Sequence, residues 1–210
     1  MPLLKMKKAP HIIFGVILLI SVLSCDYEMK TLQLLSERTS EPETVIVNEE
    51  LPLTLIMDSL KIKLHNISIQ IDKSDYVLMV LSKDVILKSY RMVLGSNPID
   101  DKRMQGDRCT PEGTFHIVSK YPHKSWRKFI WLDYPNDESR RKFNEAKING
   151  EIPKDAEIGG EVGIHGTPEN GEYLIDDKVN WTWGCISLKR DDVDEIYPYI
   201  NESTEIIIVK

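Results

Sequence analysis

Two short stretches carry residue types that can do acyl chemistry. One is Gly163-Ile164-His165-Gly166; the other is Trp181-Thr182-Trp183-Gly184-Cys185-Ile186-Ser187-Leu188. His165 and Cys185 stand 20 positions apart. Cysteine attacks carbonyl carbon as a thiolate, and a nearby imidazole is the usual means of generating one near neutral pH. The glycines beside both residues let backbone N–H groups approach a developing oxyanion with no Cβ in the way. The pattern offers acyl transfer through a covalent cysteine intermediate, with His165 as the base.

Taken singly, neither residue says this. An isolated cysteine is more often a small buried hydrophobe, and an isolated strand histidine a satisfied core residue. It is the pairing of the two that points to a nucleophile and its base. Other chemistries find less support. His65, His116 and His123 lack the spacing of a metal set, so no metal is expected. No carboxylate pair stands out from the many surface acids, which argues against glycosidase chemistry. The net charge is −6 with the acids dispersed, and no basic stripe with interleaved aromatics suggests nucleic acid. Cys109, next to Thr110-Pro111, reads as packing; the alternative is a disulfide with Cys185.

The elements that would position these residues begin after an unusual N-terminus. Lys5, Lys7 and Lys8 precede an apolar run from Ile12 to Leu23, which suits an export signal and is short of the roughly 20 residues that a membrane span needs. Val22-Leu23-Ser24-Cys25 resembles a bacterial lipoprotein lipobox. The resemblance implies a signal peptide over 1–24, cleavage before Cys25 and lipidation of its thiol. The expected product is an exported, membrane-anchored lipoprotein facing the periplasm or cell wall. Residues 25–65 read as a tether or spacer, with Glu37, Glu41, Glu43, Glu49 and Glu50 mixed among Ser, Thr and Pro42. Leu51 to Leu64 is too apolar to be simply solvated, and strand and helix both remain open there.

From Ile67 the pattern alternates with period two. Ile67–Ile71, Tyr76–Leu81 and Val85–Leu94 form a meander broken by Asp72-Lys73-Ser74-Asp75 and Lys83-Asp84. Gly113–Tyr121 and Lys128–Tyr134 add two strands rich in aromatic and β-branched residues. A helix is predicted over Asp137–Ile148, capped by Asn136 or Asp137 and closed by Asn149-Gly150. Strand character returns at Val162–His165, Cys185–Leu188 and Thr204–Val209, with a short helix over Asp191–Tyr199. Asp191, Asp192 and Asp194 read as that helix's start and solvated face. The domain is therefore mainly β.

Gly95, Gly106-Asp107, Thr110-Pro111-Glu112-Gly113-Thr114-Phe115, Ile164-His165-Gly166 and Gly184-Cys185-Ile186, in this order, resemble the L,D-transpeptidase catalytic domain, often called YkuD. The resemblance covers residues 66–210 and implies a mixed-sheet β-sandwich with one or two helices. It implies peptidoglycan stem peptides as partners and no cofactor. Cys185 would attack the L-centre carbonyl of a diaminopimelate-type stem residue, expel the terminal D-residue and hold the stem as a thioester. His165 would move the protons. The N–H groups of Cys185 and of Gly184 or Trp183 would receive the oxyanion, and a carbonyl from Gly166 or its neighbour would fix the tautomer of His165. Thr182 is retained from the family pattern, but Trp183 stands where a second histidine is usual. Ser187 replaces the usual Arg or Asn, with Lys189 or Arg190 as substitutes for a lost cation. Water as acceptor would make the same machinery an L,D-endopeptidase or amidase. A wall-binding lipoprotein of the same fold with little catalysis is the reading from another class.

Overall fold

Apolar residues on alternate positions give each strand one face to bury, and here those faces turn into a single interior. The computed structural model describes residues 46–210; the expected signal segment, Cys25 and the first part of the expected spacer lie outside the described residues. The strands are β1 (Ile67–Asp72), β2 (Val77–Ser82), β3 (Val85–Val93), β4 (Gly113–His123), β5 (Arg127–Leu132), β6 (Gly163–Gly166), β7 (Ile186–Leu188) and β8 (Glu205–Val209). Their order is β1-β2-β3-β7-β6-β5-β4-β8, closed into a barrel.

Closure corrects the expected sandwich. The last strand pairs in parallel with β1 and antiparallel with β4, while β7 joins β3 to β6. The row of strands therefore meets itself and leaves no edge of the kind a sandwich keeps. Ile69, Ile71, Leu78, Val80, Ile130, Leu132, Ile164, Ile186, Ile206 and Ile208 fill the interior. Each such side chain contributes about 1.5–3 kcal/mol by leaving water.

Four α-helices are seen among the described residues, against one or two expected. α1 (Leu53–Ser59) settles the stretch left open between strand and helix: Leu53, Ile56 and Met57 share one buried face. The Leu53 N–H donates to Glu195 Oε1 at 2.7 Å, tying α1 to the barrel. α2 (Asp137–Asn149) starts as expected, with Asn136 as the cap that accepts from Ser139 N at 3.1 Å, and ends at left-handed Gly150. α3 (Tyr173–Asp176) is a single turn, too short for its sequence to show a helical period. α4 (Arg190–Ile196) buries Val193 and Ile196 and packs on β5 and β6. Its acidic face is not simply solvated, because Asp194 pairs with Arg127 and Lys128.

Candidate active site

The nucleophile loop is held by two neighbours on either side. Thr182 N donates to Leu94 O at 3.3 Å and Ser96 N to Thr182 O at 3.0 Å, while Asn97 N donates to Arg108 O at 3.1 Å. The end of β3 is thus stitched to residue 182 on one side and to residue 108 on the other. Thr110, fully buried, accepts from Gly95 N through Oγ1 at 3.1 Å. A Cβ on Gly95 would lie 2.1 Å from Arg108 O and 3.0 Å from Gly184 Cα, so only glycine permits this three-way approach. The Thr110-Pro111-Glu112 block is therefore a lock. Glu112 pairs with buried Lys73 at 2.7 Å, and its N–H donates to Asp101.

Within the loop, the Thr182 hydroxyl donates to Cys185 O at 2.6 Å and accepts from Gly184 N at 3.2 Å. Gly184 sits at φ 135, and a Cβ there would meet Cys109 O at 2.7 Å. A side chain at 184 would have both the wrong backbone and no room. Cys109 itself is buried, its Sγ donating to Asp107 O at 3.4 Å. Cys109 and Cys185 are both free thiols, so the disulfide alternative is not formed.

His165 lies on β6, whose parallel register with β7 pairs Ile164 with Ile186 and His165 with Ser187. Ile164 and Ile186 point into the core. His165 and, two positions before Ser187, Cys185 therefore share the opposite face. The imidazole stacks on Trp126 with centroids 4.5 Å apart and on Phe129 at 5.9 Å, with Trp181 edge-on at 5.5 Å. Only 1% of His165 is exposed. Burial pulls its pKa down to about 4, against which the Gly166 hydrogen bond works only in part. The ring Nδ1 is 2.9 Å from Gly166 O. A carbonyl can only accept, so Nδ1 carries the proton and Nε2 keeps its lone pair.

Cys185 is half-buried, and its thiol donates to Glu161 O at 3.5 Å. Burial pushes its pKa up to about 11, countered in part by the Gly163 N–H and by the Lys102 ammonium. Both shifts favour the uncharged forms, a thiol and a neutral imidazole at rest. The main cause in both is desolvation by burial. The arrangement suits a base that takes the thiol proton during attack.

His165, Thr182, Trp183 and Cys185 line one cavity of about 410 Å³. Of the other expected contacts, Gly166 and Gly184 act behind the surface, through the hydrogen bonds above. Ser187 is fully buried with its hydroxyl unpartnered among the described residues, and it does not line the cavity. Lys189 pairs with Asp176, and Arg190 donates to Ser125 O and Thr167 O. Neither replaces a cation at the thiol. Most of the remaining wall is aromatic: Tyr121, Trp126, Phe129, Trp131 and Trp181. Sequence reasoning missed Tyr121, Trp126, Phe129 and Trp131 in that wall, although Phe129 and Trp131 alternate with core residues Ile130 and Leu132, a period-two signal for a second face. Among the described residues, no group of three or more His, Cys, Asp or Glu side chains is placed to hold a metal ion.

A family model described as the L,D-transpeptidase catalytic domain, YkuD, matches residues 66–208. No curated protein matches the chain. Among solved structures, Bd1075 of Bdellovibrio bacteriovorus is similar at 20% identity and a TM-score of 0.50, over 69% of this chain and 48% of its own. The helical cell shape determining protein Pgp2 of Campylobacter jejuni is similar at 19% identity and a TM-score of 0.51, over 75% of this chain and 55% of its own. At these identities the likeness shows the fold alone. The chain spans about half the length of these two structures.

Proposed function

The chain belongs to the L,D-transpeptidase catalytic domain family, and on that premise we propose that it is a cysteine acyltransferase acting on peptidoglycan stem peptides. Cys185 is the nucleophile and His165 the base. One observation supports this most: a thiol and a neutral imidazole with a free Nε2 line the same aromatic cavity.

In the proposed reaction, Cys185 Sγ forms a bond to the L-centre carbonyl carbon while its proton passes to His165 Nε2. His165 then returns that proton to the leaving amine as the C–N bond breaks, and the stem remains as a thioester. An acceptor amine gives a cross-link; water gives a trimmed stem and makes the same chain a hydrolase. The Cys185 N–H is one oxyanion donor. The Gly184 N–H is already bonded to Thr182, which favours Trp183 as the second. Such a donor contributes about 3–4 kcal/mol to the transition state. The imidazolium formed in transit is disfavoured by burial but faces the Trp126 ring, whose quadrupole attracts a cation.

Export and anchoring through lipid on Cys25 complete the proposal, supported by the charged, apolar and Ser24-Cys25 sequence that precedes the domain. Labelling with a fatty acid that Cys25→Ser abolishes would support it; equal labelling of both proteins would not.

The catalytic test is the intact mass of the protein after incubation with tetrapeptide-stem muropeptides. An adduct on Cys185 with release of the terminal residue is expected, and none with Cys185→Ala. Dimeric product would name a transpeptidase, and trimmed stem a hydrolase. Turnover by Cys185→Ala, or sacculus retention without turnover by either protein, would overturn the proposal, the second in favour of a wall-binding role.

A further inference from the structure

A second pocket, of about 230 Å³, adjoins the first with Trp183 as the shared wall. Its charged lining is cationic: Lys102 and Arg108. Lys102 is buried and fixed, its ammonium donating to Asp107 Oδ1 at 2.8 Å and Met104 O at 3.1 Å. That ammonium lies 3.9 Å from where a Cβ on Gly184 would be, hard against the residue before the nucleophile. The ammonium also stands 6.0 Å from the Tyr134 ring centroid, and among the described residues its third proton has no hydrogen-bond acceptor.

Arg108 is the second cation of this pocket. Lys189 and Arg190 are engaged elsewhere, whereas the Arg108 guanidinium has no hydrogen bond or ion pair among the described residues. It rests on the face of Trp183, 5.5 Å from the ring centroid. Its backbone holds φ 60, an uncommon region for a non-glycine residue that costs about 1–2 kcal/mol.

We propose that Lys102, Arg108 and Trp183 form a carboxylate subsite that holds the free C-terminal carboxylate of the residue released by cleavage. A guanidinium takes a carboxylate with two parallel N–H···O bonds, and the unpartnered Lys102 proton adds a third donor. Trp183 lines both pockets, which sets this cationic pocket beside the cavity that holds the thiol. This inference rests on the acyl-transfer reading above.

The test compares kcat/KM of the full-length chain on a tetrapeptide stem with a free terminal carboxylate and on the same stem as its carboxamide. Wild type should prefer the acid by about tenfold or more, the size of a charge-assisted bidentate contact. Arg108→Met should lower turnover of the acid by a similar factor and leave the amide within about threefold. Arg108→Lys should recover part of the preference, which a merely structural role would not predict. Equal turnover of acid and amide by wild type would overturn the subsite and leave the acyl-transfer reading standing; so would an equal loss on both substrates in Arg108→Met. Wild-type turnover of neither would remove the acyl-transfer reading and the subsite with it.

Discussion

His165 Nδ1 and the carbonyl oxygen of its own neighbour, Gly166, lie 2.9 Å apart. The bond assigns the ring proton to Nδ1 without any acidic side chain. A carboxylate there would stabilise the imidazolium and raise the base's pKa; a carbonyl orients the ring with a weaker pull. Combined with burial, this leaves His165 neutral over nearly the whole accessible pH range.

The pH profile of kcat/KM follows from that. With His165 at about 4 and Cys185 at about 11, the working form is neutral imidazole with protonated thiol between those values. Activity should fall only as pH approaches 4, where the base becomes protonated, and show a broad plateau above. Iodoacetamide alkylation of Cys185 in the empty site should instead keep rising with pH toward 11. An alkylation plateau near pH 7 would reveal a preformed thiolate and contradict the site described.

Acid stability should carry the same signature. His165 is held near 4 when folded, against 6.5 as an ordinary histidine. Between those values the unfolded chain binds more protons, so this residue's contribution is full above 6.5 and is lost as pH falls toward 4. The whole swing is about 3 kcal/mol. Asp192 works the other way: burial raises its pKa to about 6 from 3.8, so its folded form is favoured at low pH and disfavoured as pH rises through 6. Urea titrations from pH 4 to 7 should therefore show His165→Asn losing the acid-side fall, with stability now declining as pH rises. Parallel wild-type and variant curves would exclude His165 as the titrating group.

Lys102 and Asp107 share one ion pair, yet their removal should have opposite effects on Cys185. Lys102→Met deletes a cation that favours the thiolate and should slow alkylation at pH 8.5. Asp107→Asn leaves that cation uncompensated and should speed it. A shift of one pKa unit appears as about a tenfold change in thiolate population. Mere loosening of the loop would move both variants in the same direction, and that result would reject the electrostatic account.

Gly184→Ala places a Cβ 2.7 Å from Cys109 O on a backbone at φ 135. It should destabilise the fold by about 1–3 kcal/mol and remove most activity by displacing Cys185. Gly150→Ala is the control: φ is 73, but nothing lies within 4 Å of the new methyl. Only the backbone cost of about 1–2 kcal/mol applies there, and kcat should hold. Matching losses in both would show that backbone conformation alone, not the contact with Cys109, matters at 184.

What the sequence made legible was periodicity and punctuation. Ile67 to Ile71 alternates and is β1; Asn136 and Gly150 bracket α2; His165 and Cys185 do meet at one cavity. Closure into a barrel was not legible, because whether β8 returns to β1, β4 or both depends on sheet twist rather than on any local pattern. The isolated turn of α3 is below the length at which a period exists. Arg108 and Lys102 carry no local signal; their meaning comes from Trp183 and Gly184, which lie far along the chain and become neighbours only through the Gly95 approach. The raised thiol pKa was hidden for the same reason, since burial is a property of the assembled walls and not of the Gly-Cys pair.

The placement of β8 has a kinetic consequence. Ser68 pairs with Glu205, and Gly113 with Ile208, so the contact that seals the sheet joins segments separated by most of the domain. Such pairing is slow, because the chain must search a long loop before any hydrogen bond rewards it. Until then β1 and β4 both present open edges flanked by Ile69, Ile71, Phe115 and Ile117, a template for intermolecular pairing. The vulnerable moment for this protein is therefore its first folding rather than its working life. Variants that weaken β8 should show themselves as aggregation during synthesis well before they lower the melting temperature of molecules that have closed.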